Sequence, residues 1–350
     1  MTKLLTCIIV SCLLAAASQR VWAEEGGYPA RSVSTIPSGL VSFARTDPTD
    51  PALIQFGEFL FDSKLLSADR SLACTSCHVA RLGYADSHPQ AVGVGGTAGR
   101  RRAPPIFNLF NAKAFMLDGR AASLEDQIHI PLEAPTEMAI DWKASLARLR
   151  GLPETKRLIE ARSKTVIDRS LVLSSLAAYV RTLVAGDAPF DRYYFQNDES
   201  AISEDAKEGF RLFVRKGRCS GCHQVTGVSA MLTDNNFHST GIGFADGKYA
   251  DDGRFTVTGN EADRGLFKTP SLRNVALRPY FMHDGSLKSL REVIDYYNRG
   301  GNRGAPNLDG RIQPLYLTEP EIKEILAFLG TLNSEVVSYR PWLKPAAEGH

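Results

Sequence analysis

The chain carries the run Cys-x-x-Cys-His twice, as Cys74-Thr75-Ser76-Cys77-His78 and as Cys219-Ser220-Gly221-Cys222-His223. Two thiols three positions apart can each bond one vinyl group of the same porphyrin, and the imidazole that follows then sits under the iron. The pattern is the attachment signature of a covalent c-type haem. With six Cys and seven His in 350 residues, chance would supply on the order of 0.002 such runs. A zinc knuckle, a redox Cys-x-x-Cys or a disulfide pair would use the cysteines, but none of these calls for His directly after the second one. The two runs lie 145 positions apart (219 − 74), which implies one haem per domain and a chain held around two porphyrins instead of one large apolar core.

The remaining cysteines, Cys7 and Cys12, fall in a segment that reads as a secretory signal over residues 1–23. Lys3 supplies the positive start, Leu4 to Ala17 is apolar, and Val21-Trp22-Ala23 is a small-x-small cleavage site. The apolar run is short for a membrane span, and Ile9-Val10-Ser11 ahead of Cys12 is a poor lipid-anchor signal. The mature chain is expected to begin near Glu24. It should be soluble and exported, without stable membrane insertion, and a c-type haem combined with export indicates the bacterial periplasm. Removing the signal deletes Lys3 and Arg20, so the 41 basic residues fall to 39 against 39 acidic ones. A chain near neutrality is not a general nucleic-acid binder. The clusters Arg100-Arg101-Arg102 and Arg211 to Arg218 read as solvated faces or as partners of haem propionates.

The fold class is mainly α, as two cytochrome c-like domains, each binding one covalent c-type haem. The first is expected over residues 24–186 and the second over 187–335, divided at Gly186-Asp187-Ala188-Pro189. The last helix is a candidate for packing back on the first domain. Apolar Leu53, Ile54, Phe56, Phe59 and Leu60 predict a helix from Pro51 to Phe61. Helical patterns return at 123–130, 141–151, 153–162 and 167–185. Ser203 caps a helix to Val214 that leads into the second haem run, and Leu287–Tyr297 and Thr318–Leu332 are the closing helices. Residues 83–105 and 224–270 read as long loops, a kind of segment that often carries function. Strand signals are sparse. Little sequence is shared between the two haem segments beyond the runs themselves, so a duplication would be old or structural only.

Further motifs complete a chain-long pattern. Phe61-Asp62-Ser63-Lys64-Leu65 precedes the first haem run, and Asp118-Gly119-Arg120-Ala121, Pro131 and Glu137-Met138 follow it. After the second come Gly253-Arg254-Phe255, Asp263-Arg264, Thr269-Pro270-Ser271-Leu272-Arg273-Asn274 and His283-Asp284-Gly285-Ser286-Leu287. Over residues 51 to 332 the chain resembles the bacterial di-haem cytochrome c peroxidase superfamily, including its MauG-type members. The resemblance implies an N-terminal haem that reacts with hydrogen peroxide and a C-terminal haem that stores and relays electrons.

It also implies roles for individual residues. Cys74, Cys77, Cys219 and Cys222 carry the haems, and His78 and His223 are their proximal ligands. Glu137 matches the distal acid–base glutamate, and Gln127 and Pro131 match the other distal positions. The loop histidine that caps the first iron in many members corresponds to Val94, which cannot ligate, so that haem should be open; His88 is the alternative if the alignment slips. The sixth position of the second haem corresponds to Tyr297, as in MauG-type members, with Met282 and the neighbouring Tyr296 as alternatives. Leu117 stands where the family places a Trp between the haems, and Trp142 reads as helix packing. The family's interdomain calcium uses an Asn that corresponds to Arg102, facing a second segment Leu277-Arg278-Pro279-Tyr280. Two arginines would repel calcium, leaving Asn108 and backbone carbonyls as its only donors.

Val94 and Tyr297 favour an enzyme that uses peroxide to oxidise a periplasmic partner protein. One alternative is a peroxidase that detoxifies peroxide with electrons from a small cytochrome or cupredoxin. The other is an electron-transfer di-haem cytochrome without peroxide chemistry, against which Glu137 and the open first haem argue.

Overall fold

The computed structural model describes residues 30–41, 50–159 and 166–340. The expected signal segment lies outside the described residues. The chain is mainly helical, and its two main helix pairs set the frame. Helix α1 (Pro51–Asp62) starts where Asp50 accepts the Ala52 N–H at 2.8 Å, with Pro51 in the first turn, where its missing N–H costs nothing. The helix buries Ile54, Phe56, Leu60 and Phe61. Four helices follow in the first half: α2 (Leu124–Glu133), α3 (Trp142–Gly151), α4 (Pro153–Ile159) and α5 (Arg169–Thr182). The second half contributes α6 (Pro189–Gln196), α7 (Glu204–Val214), α8 (Leu290–Asn298) and α9 (Glu319–Gly330).

Helix α1 crosses α5, and α7 crosses α9. Each crossing is made at a glycine. A Cβ on Gly57 would stand 1.9 Å from the Ser175 carbonyl oxygen, and one on Gly209 would stand 1.9 Å from that of Glu324. Only a residue without a side chain lets these backbones meet so closely. The halves keep separate apolar cores: Phe56, Phe61, Leu66, Leu124 and Leu176 belong to the first, and Phe190, Phe213, Ile325 and Phe328 to the second. In the second core Phe210 and Phe328 lie 4.9 and 5.2 Å from the Phe190 ring.

Residues 183–185 are a strand, not the end of the predicted helix. Strand β2 (Leu183–Ala185) pairs antiparallel with β3 (Val336–Tyr339), and β1 (Ser32–Val33) pairs parallel with β3 on its other side. A run of β-branched and apolar residues with a buried partner edge outweighs the helical pattern there. The sheet also fixes the course of the chain's end. Helix α9 packs on α7 within its own half, and the segment that returns to the first half is β3. Near the junction, Arg273 and Asp191, both fully buried, form a two-pronged ion pair at 2.6 and 2.8 Å. The remaining Arg273 donors reach the Gly39 and Ala230 carbonyls.

The halves repeat each other more than expected from sequence. Residues 104–131 and 270–297 run parallel at an offset of 166 (270 − 104). Phe115-Met116-Leu117-Asp118-Gly119 answers Phe281-Met282-His283-Asp284-Gly285. Antiparallel bridges Phe115–Ala121 and Phe281–Leu287 close both turns. Met116 and Met282 share left-handed backbone, at φ 64 and 65, as do Asn108 and Asn274, at 58 and 56. Ser123 and Ser289 cap α2 and α8. This register sets Pro131 opposite Tyr297.

Candidate functional site

Each Cys-x-x-Cys-His run is wound into one tight turn. Cys74–Cys77 is a single α-turn and Cys219–Gly221 a 3-10 turn, and in both the histidine N–H donates to the first cysteine's carbonyl at 2.9 Å. All four cysteines are unbridged. Burial pushes Cys74, Cys77 and Cys219 up to about 12.

The two imidazoles are held alike. His78 Nδ1 meets the Tyr84 carbonyl at 3.2 Å and His223 Nδ1 meets that of Leu232 at 2.9 Å. Both acceptor residues sit in left-handed backbone, at φ 54 and 56. An Nδ1–H bonded to a carbonyl fixes the tautomer whose Nε2 lone pair can bind a metal. Burial holds both rings below the usual histidine range and therefore neutral. The paired thiols, fixed tautomers and burial fit a haem at each run.

Around the first run, Pro131 lies inside α2, and the turn after it is pinned. The Met138 N–H donates to the Pro131 carbonyl at 3.1 Å and the Ile140 N–H to that of Leu132 at 2.7 Å. Glu137 projects from this turn, half-buried. Burial raises its carboxyl above the ordinary glutamate range, opposed by the nearby Arg120 charge. Glu137 is also close enough to Cys77 to act on its thiol. Gln127 is anchored through Oε1, which accepts the Met116 N–H at 3.2 Å, leaving its amide NH2 free to donate. Val94 donates its own N–H to the Glu137 carbonyl at 2.8 Å. The loop that carries it is folded back on itself, with Gly93 too close to Thr136 for any side chain. His88, the alternative, has a side chain 56% exposed, and its Nδ1 faces Asp86 at 3.2 Å.

At the second run, α8 presents Tyr296 and Tyr297 in succession, about 100° apart around the helix. Tyr296 donates its hydroxyl to the Thr240 carbonyl at 2.7 Å. Tyr297 stands within electrostatic reach of Cys219 and Cys222, and its hydroxyl has no hydrogen-bond partner among the described residues. Burial raises it well above the ordinary tyrosine value. Met282 lies in the left-handed turn before α8.

Between the halves is a cavity lined by Pro104, Met116, Leu117, Gln127, Met231 and Lys268. Leu117 offers it no aromatic ring. Trp142 is remote in role, donating Nε1 to Glu133 at 2.7 Å and packing on the first core. Sequence reasoning missed Lys268, whose Nζ donates to the Ala114 carbonyl at 3.0 Å and which burial pushes down to about 8; its position beside Thr269-Pro270 was the available signal. Arg101, read from sequence as part of a solvated face or a propionate partner, instead ties Asp118 of the first half to Asp251 of the second at 2.6 Å each. Cys222, Asp234 and His238 gather within 4.8 Å, and both ring nitrogens of His238 already face carboxylates, Asp309 at 2.8 Å and Asp234 at 2.9 Å. Calcium does not fit either. Asn108 uses its amide on both backbone groups of Ala185, at 2.9 and 3.0 Å, and Arg102 is buried where a cation ligand would be needed.

A sequence profile of the di-haem cytochrome c peroxidase family matches residues 51–200. Over 297 residues the chain is 39% identical to the methylamine utilization protein MauG of Methylorubrum extorquens, covering 84% of this chain and 82% of that one. It is 31% identical over 305 residues to the cytochrome c peroxidase of Escherichia coli, covering 83% and 60%. The crystal structure of a MauG-like protein associated with microbial copper homeostasis matches with a TM-score of 0.76 at 28% identity, covering 86% of this chain and 94% of that one. The chain belongs to the di-haem cytochrome c peroxidase family that contains MauG, and it is a haem-dependent oxidoreductase that uses peroxide.

Proposed function

We propose that this is an exported, periplasmic enzyme of the MauG type, which uses peroxide to oxidise side chains of a partner protein. The haems are covalent, one on Cys74 and Cys77 and one on Cys219 and Cys222, in two cytochrome c-like domains. When bound, they supply iron that takes oxidising equivalents from peroxide and holds them for transfer.

The protein's part is proton handling and ligand choice. His78 and His223 present Nε2, held by the bonds at Nδ1. Glu137, raised by burial yet in reach of Arg120, takes a proton from incoming peroxide and returns it to the departing oxygen. The Gln127 amide can donate to peroxide. Pro131 would line the same face without a donor or a ligand, and Val94 has no group that could ligate a haem held there. Tyr297 would offer its phenolic oxygen at the second site, where an anionic oxygen ligand would favour high oxidation states. Pro131 and Tyr297 occupy one repeated position, so a single exchange would distinguish the two sites.

The observation that carries this reading is the pair on α8: the Tyr296 hydroxyl is tied to Thr240, while the Tyr297 hydroxyl, within electrostatic reach of Cys219 and Cys222, has no hydrogen-bond partner among the described residues. The test is to add peroxide to the fully oxidised protein and record optical spectra. Changes at both haems without prior reduction support the proposal. A reaction that requires a half-reduced enzyme and a reduced cytochrome would place the chain with the detoxifying peroxidases. In a Tyr297→Met variant the second haem's spectrum should change while the first haem's stays as it was; an unaltered second haem would refute the ligand.

A further inference from the structure

Two buried arginines stand between the halves with no acid bonded to them. Arg102 is 8% exposed, and its side chain makes no hydrogen bond among the described residues; its Nε and Nη1 are sealed from solvent without an acceptor. Arg278 is 6% exposed and gives Nη2 to the Ser271 and Arg273 carbonyls, while its Nε has no acceptor. Burial, and then the Arg102 charge, push Arg278 down to about 9. Two like charges with unused donors are not kept in a protein interior unless an anion joins them.

Their placement says which anion. The Arg102 N–H donates to the His283 carbonyl at 2.9 Å, so this first-half residue is seated on the second half. The Asp86 carboxylate acts on both Arg102 and His78, and the Arg278 charge acts on His223. Each arginine is thus tied by charge to one haem run, Arg102 through the shared Asp86 to His78 and Arg278 directly to His223. Asp86 is the acid whose charge acts on Arg102, but its Oδ1 accepts from the backbone and ring of His88, its buried Oδ2 has no partner, and it makes no hydrogen bond to Arg102, so the guanidinium donors stay unused. What fits is a carboxylate that arrives with the cofactor. A guanidinium matches a carboxylate with two parallel donors, and every porphyrin of this type carries two propionates on one edge.

We propose that Arg102 and Arg278 form a buried carboxylate-binding bridge between the two haem sites, holding propionate groups of the porphyrins by fixed positive charge where a divalent cation would otherwise be needed. The proposal rests on the two-haem reading above. A positive charge beside a haem favours its reduced, less positive state, so removing it lowers the reduction potential.

The test uses the full-length exported protein with haem content measured on every sample. Arg102→Gln should shift the one-electron equilibrium of at least one haem toward the oxidised form by about tenfold, which is about 59 mV in a spectroelectrochemical titration. Arg102→Lys, which keeps the charge but loses the two-pronged match, should fall between that and the parent. EGTA should leave the parent's spectra and potentials unchanged. Two intact haems with unchanged potentials in Arg102→Gln would overturn the assignment, as would tightly bound calcium in the parent whose removal moves the potentials. If Arg102→Gln yields no haem protein, Arg102→Lys decides, and no shift there overturns the proposal. Fewer than two haems in the parent would instead overturn the reading beneath it.

Discussion

Helix propensity and tertiary packing predict opposite signs for Gly209→Ala, which makes it a sharp test of how the second haem run is positioned. In an isolated helix the change should stabilise by about 1 kcal/mol. In this fold Gly209 is buried at the α7–α9 crossing, and the new Cβ would stand 1.9 Å from the Glu324 oxygen, 2.4 Å from its carbon and 3.0 Å from the Ile325 nitrogen. Reaching an ordinary C···O contact of about 3.3 Å requires the helices to part by about 1.4 Å. The obstacle is backbone, so no side-chain rotation relieves it. Inserting one methyl group into a packed core costs about 1–3 kcal/mol, and a gap of this size also forfeits much of the dispersion between facing side chains such as Phe213 and Phe328, whose rings lie 5.0 Å apart. Near the upper end of that cost, less the helix gain, the net is a loss of about 2 kcal/mol. Guanidinium unfolding of the haem-loaded variant, followed by far-ultraviolet circular dichroism and by the Soret band, measures it. A neutral or more stable variant would refute the close-crossing account.

Other expectations follow from the same structure. Glu137→Gln should lower the rate of reaction with peroxide by about 10²–10⁴-fold in stopped-flow traces. The parent's rate should rise with pH through a group titrating above the ordinary glutamate range, because burial raises Glu137 and the ionised form is the base. That dependence should vanish in the variant, and its survival would assign the proton to another group. Asp191→Ala strands the fully buried Arg273 guanidinium and should cost about 3–5 kcal/mol in urea unfolding. A loss below about 1 kcal/mol would mean that the guanidinium finds another partner.

Much of the candidate site was legible because its expected attachment chemistry needs neighbouring residues. Cys74 to His78 and Cys219 to His223 needed no fold to be read. The helix starting at Pro51 and the Ser203 cap were likewise local, since they depend on the spacing of apolar residues and on one side-chain oxygen. The 183–185 segment was misread as helix because its pairing with Val336–Tyr339 lies some 150 residues away (336 − 185 = 151). The internal repeat escaped notice because the haem runs are offset by 145 residues while the conserved turns are offset by 166, so no single shift aligns both.

By itself, then, the sequence carried the expectation of two haems with their attachment residues and determined the helical character, because each rests on neighbours within a turn or two. Only the tertiary structure distinguished the two tyrosines, since residues adjacent on a helix diverge by about 100° and the Thr240 carbonyl takes the Tyr296 hydroxyl. It alone showed that Arg102 and Arg278, 176 positions apart (278 − 102), are both buried with donors that have no acceptor. Charges interact through space, and the order of residues along the chain does not reveal which of them will share a dry interior.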